Sequence, residues 1–359
     1  DTTLQSANRP TGKRISELDA LRGIAAVAVV LFHYTTRYDD LFGHSQSIPL
    51  SVPGGYFGVN LFFMLSGFVI LMTLERTSDS WKFAWGRLSR LYPAYWAAAL
   101  MTFVVVSLFG LPGQEVTVVE ALVNTTMIQG MLKVPHIDGA YWSLQAELIF
   151  YANMLLLYRA GAFRRPECIT IAWVTVAVAV HVATSYAASF YPIVGSVLGK
   201  FSTLASLEFI PLFGFGLLCY QWHRDGQSTR LHKLALAICF GSICLMTSTY
   251  AAVVDVALAS VLAMAVAGRL KVLASRPLVW LGAISYTLYL THQNIGYVVI
   301  QKLESAGFHS IISIAVACAV SVGLASALHY WIERPSMRRL RGMNFPALTR
   351  RFRTATANS

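Results

Sequence analysis

The chain alternates between long apolar stretches and short polar connections from residue 23 to residue 332. Most stretches approach the ~20 residues that a helix needs to cross a hydrocarbon layer of about 30 Å. Several are apolar on every side, unlike the one-sided helices of soluble proteins. The pattern predicts an all-α polytopic membrane protein whose bundle has about ten transmembrane helices. The predicted spans are residues 23–36, 56–74, 93–110, 141–158, 168–186, 203–222, 235–250, 253–268, 278–300 and 310–332.

Composition supports a membrane protein and excludes several other classes. Of 359 residues, 56% are apolar and 13% are charged, whereas a soluble domain averages about half apolar and about a quarter charged. A soluble enzyme with a single anchor, a coiled coil and a disordered chain are therefore excluded. A cleaved signal peptide is the alternative interpretation of the first stretch, but no small-residue cleavage site is present, and Arg37, Asp39 and Asp40 follow it.

The basic residues predict the orientation of the bundle. The net charge is +11, with 28 lysines and arginines. In the ten-span arrangement 24 of these 28 lie on the same side as the N-terminus, and cytoplasmic loops carry the excess of basic residues in membrane proteins. We therefore expect both termini in the cytoplasm. The basic residues predicted on the opposite side are Arg37, Lys133, Lys200 and Lys302.

The spans leave no room for a second folded domain. We expect a cytoplasmic segment at residues 1–14, a membrane domain at 15–335 and a basic cytoplasmic tail at 336–359 that associates with anionic lipid. The longest outer connection, residues 111–140, contains prolines and glycines and is expected to be a folded loop or a re-entrant element that covers a site. The five cysteines lie in apolar stretches without a Cys-x-x-Cys pair, so neither a disulfide nor a metal site is expected.

Two polar residues in the first span predict a functional face. Arg22 and His33 are eleven residues apart, which leaves only about 20° between them after whole helical turns and separates them by roughly 16 Å along the axis. Asp19 shares this face and can pair with the guanidinium. The alternative is structural: Arg22 as a positive flank of the span and His33 as a hydrogen-bonded packing residue.

Other spans also carry polar side chains, which are rare inside membranes and mark functional sites. We expect them to share one layer with His33, although interhelical hydrogen bonding alone is the alternative for each residue. The candidates are Asn60 and Ser66 in the second span, Glu147 in the fourth, Glu208 in the sixth, and Tyr286, Tyr289 and His292 in the ninth.

Six segments of the chain resemble the acyltransferase 3 family of integral-membrane O-acyltransferases. They occur in family order and extend over nearly the whole chain. Asn60 stands where the family frequently has an acid, and Gln293 and Asn294 replace the proline that often follows the histidine of the ninth span. The segments are LDALRGIAAVAVVLFHY, GVNLFFMLSGFVI, RLSRLYP, WSLQAELIFY, SYTLYLTHQ and HYWIERP.

The resemblance implies an O-acyltransferase of the bacterial cytoplasmic (inner) membrane, of the type without an appended periplasmic hydrolase-like domain. The implied reaction transfers an acyl group, usually acetyl from acetyl-CoA, to a sugar hydroxyl of an exopolysaccharide, O-antigen or lipid-linked glycan. Acetyl-CoA would be a substrate, and no tightly bound cofactor, metal or nucleic acid is expected. The expected partners are the acyl-CoA, a carbohydrate acceptor, the lipid bilayer and the machinery of polysaccharide synthesis.

The resemblance and the chemistry of the residues together suggest roles. Arginine forks suit phosphate oxygens, so Arg22, Arg87 and Arg90 are expected to hold the donor phosphates. His33 is the expected general base, because an apolar setting favours neutral imidazole. Glu147 is expected to orient His33 or to bind the sugar. An amide or hydroxyl from the second span, Asn60 or Ser66, would donate to the oxyanion.

Two other functions are compatible with the same residues. The first is acylation of a small secondary metabolite or a lipid in place of a polysaccharide. The second is a polytopic transporter whose buried polar layer binds its substrate. Turnover of acetyl-CoA that depends on His33 separates an acyltransferase from a transporter.

Overall fold

The computed structural model describes residues 15–77 and 79–342. The predicted segment 1–14 and most of the predicted tail lie outside these residues. Within them the chain forms helices joined by turns, without a β-strand. The helices are α1 Ser16–Phe42, α2 Gly58–Arg76, α3 Ser80–Phe109, α4 Val118–Asn124, α5 Trp142–Arg159, α6 Pro166–Phe190, α7 Pro192–Leu204, α8 Ile210–Asp225, α9 Arg230–Met246, α10 Thr249–Val266, α11 Arg276–Thr291, α12 Gln293–Ser305, α13 Ser310–Leu328 and α14 Arg334–Gly342.

The predicted all-α multi-pass architecture is confirmed. Among the described residues six helices are long and apolar enough to cross a membrane, and α7 with α8 makes a seventh if the bent pair is counted as one span. Helices α5, α9, α11 and α12 match the predicted spans 141–158, 235–250 and 278–300 but are shorter or more polar. The number of about ten spans and the cytoplasmic position of both termini stay predictions.

Two of the predicted spans are broken in the structure. Span 203–222 was expected to be one helix, but Ser206 has a left-handed φ of 52° and the chain bends by 61° between α7 and α8. Span 278–300 is interrupted at His292, where α11 ends and α12 begins. The apolar pattern continues through both breaks, so hydrophobicity alone predicts continuous helices there.

Helix α1 packs along α11 with the two backbones in close approach. A Cβ atom on Gly282 would lie 1.9 Å from the carbonyl oxygen of Asp19, so no larger residue fits at this crossing. Small residues at such crossings let membrane helices approach closely. Ten residues after Gly282, just beyond the end of α11, His292 lies against His33 of α1. The two helices therefore run parallel. We call the end of the bundle that contains Ser16 the inner end and the end that contains Phe42 the outer end.

The connection between α3 and α5 is folded at the outer end. Thr117 and Glu120 cap α4 reciprocally, each side chain bonding the other's backbone N–H. The buried Asn124 donates from Nδ2 to the carbonyl oxygens of Glu120 and Pro135, both at 2.8 Å, and its Oδ1 accepts from the N–H of Ile137 at 3.0 Å. These bonds close the connection into a compact element that lies against the break at His292.

Candidate active site

A cavity toward the inner end of the bundle is lined by cationic and hydroxyl-bearing side chains. It lies between α1, α2, α3, α5 and α11. The Nε atom of Arg22 is buried, and it has no hydrogen-bond partner among the described residues. A buried guanidinium with an unpaired donor is costly unless a ligand completes it. The polar lining residues, which we call the inner group, are Arg22, Ser66, Arg87, Arg90, Glu147, Tyr151 and Tyr286.

Glu147 is held within the inner group by two hydroxyl groups. Its Oε1 accepts a hydrogen bond from Ser66 Oγ at 2.6 Å and another from the Tyr151 hydroxyl. The Arg87 guanidinium lies over the Tyr151 ring, 5.8 Å from its centroid, and donates to Thr73 Oγ1. Cationic and anionic groups are therefore assembled around one cavity.

A second cavity extends from the inner group toward the outer end. It shares Arg22, Ser66, Glu147 and Tyr286 with the first. Its far wall includes Ser143, whose hydroxyl lies 2.7 Å from that of Tyr289. The Tyr289 ring is 5.6 Å from the ring of His292. Hydroxyl and apolar side chains thus line the cavity from Arg22 as far as Tyr289, whose ring contacts His292, and neither histidine is itself a lining residue.

His33 and His292 form a hydrogen-bonded pair, which we call the histidine pair. His33 lies in a π-helical turn, Phe32–Arg37, that interrupts α1. Its Nδ1 is 2.8 Å from the carbonyl oxygen of Val29 and 3.1 Å from His292 Nε2. His292 Nδ1 is 2.9 Å from the carbonyl oxygen of Tyr289.

These contacts assign the proton positions of the pair. Carbonyl oxygens only accept hydrogen bonds, so His292 Nδ1 carries a proton and, in the neutral ring, its Nε2 accepts. The proton between the rings therefore belongs to Nδ1 of His33, which shares it with Val29 and His292. His33 Nε2 therefore carries no proton and has a lone pair that can accept one. This nitrogen makes no hydrogen bond within residues 15–77 and 79–342. A neutral imidazole with a free nitrogen is a general base.

Distant side chains hold the break that positions His292. The carbonyl oxygen of His292 accepts from the Tyr34 hydroxyl at 2.6 Å, and that of Leu290 accepts from Tyr141 at 2.9 Å. Asp138, from the outer connection, accepts from the N–H of Asn294 at 3.0 Å and so caps the start of α12. The Leu290 carbonyl and the Asn294 N–H beside the break are satisfied in this way, as buried polar groups must be. The His292 carbonyl also accepts from the N–H of Gly296 at 3.0 Å, so the Tyr34 bond is an additional one.

The predicted single layer of polar residues is wrong, because the structure forms two groups. Ser66 and Glu147 lie with Arg22, and no hydrogen bond joins either of them to His33. Helix α2 runs antiparallel to α1, with Gly58 packed so closely that a Cβ would lie 2.5 Å from the carbonyl oxygen of Ala25. Ser66 lies eight residues after Gly58 along α2, which places it about 12 Å nearer the inner end than Gly58.

Three other candidates are found away from the histidine pair. Asn60 donates from Nδ2 to Asp255 Oδ1 of α10 at 2.7 Å, so its donor is directed at a carboxylate and not at a developing oxyanion. Glu208 was expected to be buried, but it is exposed at the break between α7 and α8. Asp19 lies in the first turn of α1, and its pairing with Arg22 stays a prediction.

Sequence reasoning missed several residues of these groups. Asp255 is 1% exposed within an apolar span, and a lone charge in predicted span 253–268 was the signal that could have found it. Tyr34 and Tyr141 carried no such signal, because their partners are backbone carbonyls far along the chain. Asp138 follows Pro135 in the outer connection, where a carboxylate is unremarkable by sequence.

The buried Asp138 predicts a pH dependence of stability. Burial raises its pKa to about 7, although hydrogen bonds from Asn294 and Ala140 act in the opposite direction. The pKa of an aspartate in the unfolded chain is about 3.9. Between about pH 4 and pH 7 the folded chain therefore binds more protons than the unfolded chain. The free energy of unfolding in detergent should therefore fall as the pH rises from about 4 to about 7. Asp138→Asn should remove this contribution, and an unchanged slope in that variant would contradict the assignment.

Comparison with known proteins agrees with the motifs of the chain. Residues 15–330 match the acyltransferase domain family. The chain is 27% identical to acyltransferase MdmB of Streptomyces mycarofaciens over 386 aligned positions, which cover 95% of this chain and 96% of that relative. It is also 30% identical over 165 residues to the putative acetyltransferase ORF330 of Acidianus two-tailed virus, a match that spans 46% of this chain and only 45% of the viral relative. No solved structure matches the chain.

Proposed function

Since the chain belongs to the acyltransferase 3 family and is a multi-pass membrane acyltransferase, we propose that it transfers acetyl from acetyl-CoA to a sugar hydroxyl. The acceptor is a sugar of an exopolysaccharide, an O-antigen or a lipid-linked glycan, and the membrane is the bacterial cytoplasmic membrane. One observation carries the proposal: His33 has a free Nε2 and is paired with His292, on the same helix as Arg22, whose buried Nε has no partner among the described residues. Helical geometry separates the two by roughly 16 Å.

The inner group binds the donor phosphates in this proposal. Coenzyme A is polyanionic, and Arg22, Arg87 and Arg90 converge on one cavity. Arginine presents a planar fork of donors that matches phosphate oxygens. The pantetheine arm extends through the second cavity, between its hydroxyl and apolar side chains, toward the histidine pair. Glu147 is hydrogen-bonded to Ser66 beside Arg22, so it lies on the donor side. In this proposal His292, and not Glu147, orients His33.

His33 performs the proton transfer. Its Nε2 takes the proton from the acceptor hydroxyl while the hydroxyl oxygen attacks the thioester carbonyl. The imidazolium that forms keeps its Nδ1–H on Val29 and His292. When the tetrahedral intermediate collapses, the new C–O bond remains, the C–S bond breaks, and the thiolate of coenzyme A takes the proton from Nε2. The base is thereby restored for the next cycle.

The donor assignment predicts the effect of Arg90→Lys. Lysine keeps the charge and loses the bidentate fork, so the KM for acetyl-CoA should rise about tenfold with kcat little changed, a loss of about 1.4 kcal/mol. Steady-state kinetics at saturating acceptor measure both constants. Arg224→Lys is the matched control, because Arg224 pairs with Glu75 and Asp225 away from the cavity. An unchanged KM in Arg90→Lys would exclude bidentate phosphate binding by this residue.

A deletion experiment tests the class of acceptor. The strain without this gene should lose alkali-labile acetyl esters from its surface polysaccharide or lipid-linked glycans, as detected by mass spectrometry. Complementation with wild-type protein should restore them, and His33→Gln protein should not. If the glycan esters persist and a small metabolite loses its ester instead, the polysaccharide acceptor is wrong.

A further inference from the structure

The segment that follows α1 is attached to the π-helical turn of His33 by a buried pair of side chains. His44 Nδ1 lies 2.8 Å from Glu304 Oε1, and the two side chains are 2% and 6% exposed. His44 Nε2 lies 2.9 Å from the carbonyl oxygen of Tyr34. Glu304, near the end of α12, also accepts from the N–H of Ser45 through its second oxygen at 3.1 Å. The pair therefore joins α1 to α12 at the outer end.

The π-helical turn explains why the Tyr34 carbonyl is available to His44. In a regular α-helix this oxygen would accept from the N–H of residue 38. Here the N–H of Tyr38 donates to the carbonyl of His33, five residues back. The carbonyl of Tyr34 thereby loses its helical donor, and the His44 ring replaces it. Turns of this kind are rare and are frequently found at functional sites.

Both ring nitrogens of His44 are engaged. Nδ1 contacts Glu304 Oε1 at 2.8 Å, and Nε2 contacts the carbonyl oxygen of Tyr34 at 2.9 Å. Leaving a buried polar group without its hydrogen-bond partner is unfavourable. The two contacts therefore connect the π-helical turn to α12 firmly.

Tyr34 connects this pair to the histidine pair. Its backbone carbonyl accepts from His44, while its hydroxyl lies 2.6 Å both from the carbonyl oxygen of His292 and from Ser321 Oγ. His33 precedes Tyr34 directly in the chain. A displacement of the turn would shift His33 and release the Tyr34 hydroxyl from His292 together.

We propose that His44 and Glu304 are positioning residues that hold the π-helical turn so that His33 Nδ1 meets His292 Nε2. This inference rests on the proposed role of His33 as the base. His44 and Glu304 touch neither substrate nor the reacting atoms, and they act through Tyr34. Their effect is on the rate of transfer and not on the binding of the donor, because Arg22 of the donor site lies roughly 16 Å from His33 along α1.

Kinetics of His44→Ala, Glu304→Ala and the double variant test the proposal. Each single variant should lower kcat by about 10- to 100-fold with an unchanged KM for acetyl-CoA, because small displacements of a catalytic group have effects of this size. The double variant should be no slower than the slower single variant, since both changes break one contact. Rates are expressed per acetyl-CoA site, titrated calorimetrically, so that misfolded protein does not count. His309→Ala is the matched control, because His309 caps α13 at the same end.

An NMR readout separates this proposal from the proposed function. Imidazole nitrogens labelled with 15N report the His33–His292 hydrogen bond without turnover. His44→Ala should shift the resonances of both rings, and His309→Ala should leave them in place. If the wild type shows this coupling but transfers no acetyl group, the positioning geometry stands and the proposed reaction falls. Unchanged resonances, an unchanged kcat per site, or losses that multiply in the double variant would overturn the positioning role.

Discussion

His33→Gln should nearly abolish acetyl transfer while leaving acetyl-CoA binding intact. Glutamine is polar and similar in reach, but it has no nitrogen that can accept a proton near neutral pH. General-base catalysis contributes about 10²- to 10⁴-fold, so we expect kcat to fall by about 10³-fold. The dissociation constant for acetyl-CoA should stay within about twofold, since Arg22 of the phosphate-binding group lies roughly 16 Å from His33 along α1. Transfer assays and calorimetry on the same purified samples measure the two quantities.

The control for this variant is His309→Gln, which changes a histidine at the same end of the bundle outside the histidine pair. It should retain the wild-type kcat. The kcat of His292→Gln should lie between those of the other two variants. It leaves the base in place and exchanges the rigid imidazole acceptor of the His33 Nδ1–H for a flexible amide. A His33→Gln protein with a kcat within about tenfold of wild type would show that the hydroxyl is activated elsewhere.

Arg22→Met should raise the dissociation constant of acetyl-CoA by about 100-fold. The substitution keeps an apolar stem and removes the guanidinium whose Nε is buried and unpartnered. Hydrogen bonds to charged groups are worth about 1.5–3 kcal/mol each, and 100-fold corresponds to about 2.7 kcal/mol. Calorimetric titration with acetyl-CoA measures the change, and kcat at saturating donor should recover most of its wild-type value.

Titration with pantetheine is a second test of this prediction. Pantetheine lacks the nucleotide phosphates, so Arg22→Met should not weaken its binding. Arg276→Met is the matched control, because Arg276 is exposed at the same end of the bundle and does not line either cavity. If Arg22→Met and wild type have the same dissociation constant for acetyl-CoA, Arg22 does not bind the donor and serves only as a positive flank of its membrane span.

Much of the fold is predictable from the sequence, because apolar stretches long enough to cross a membrane have few alternatives to helix. The breaks at Ser206 and His292 are not predictable in this way. Ser206 needs a left-handed backbone that the surrounding apolar pattern does not signal. The break at His292 depends on Tyr34, Tyr141 and Asp138, whose side chains bind backbone groups at the break from other parts of the chain.

The candidate site was predictable within one helix and not between helices. The common face of Arg22 and His33 follows from the helical repeat alone. The depth of Ser66 depends on how α2 packs against α1 at Gly58, which no local pattern specifies. The contact of His33 with His292 joins residues 259 positions apart, and only the parallel packing of α1 and α11 brings them together.

The most direct test of the central claim is a paired measurement on purified wild-type protein in lipid nanodiscs. With acetyl-CoA and a glycan extract from the same membrane, released coenzyme A thiol and newly formed acetyl ester are quantified together. We predict that they appear in equal amounts, only when the extract is present, and that both disappear in His33→Gln. Glycan binding without thiol release, or thiol release that persists in His33→Gln, would contradict acyl transfer by this histidine.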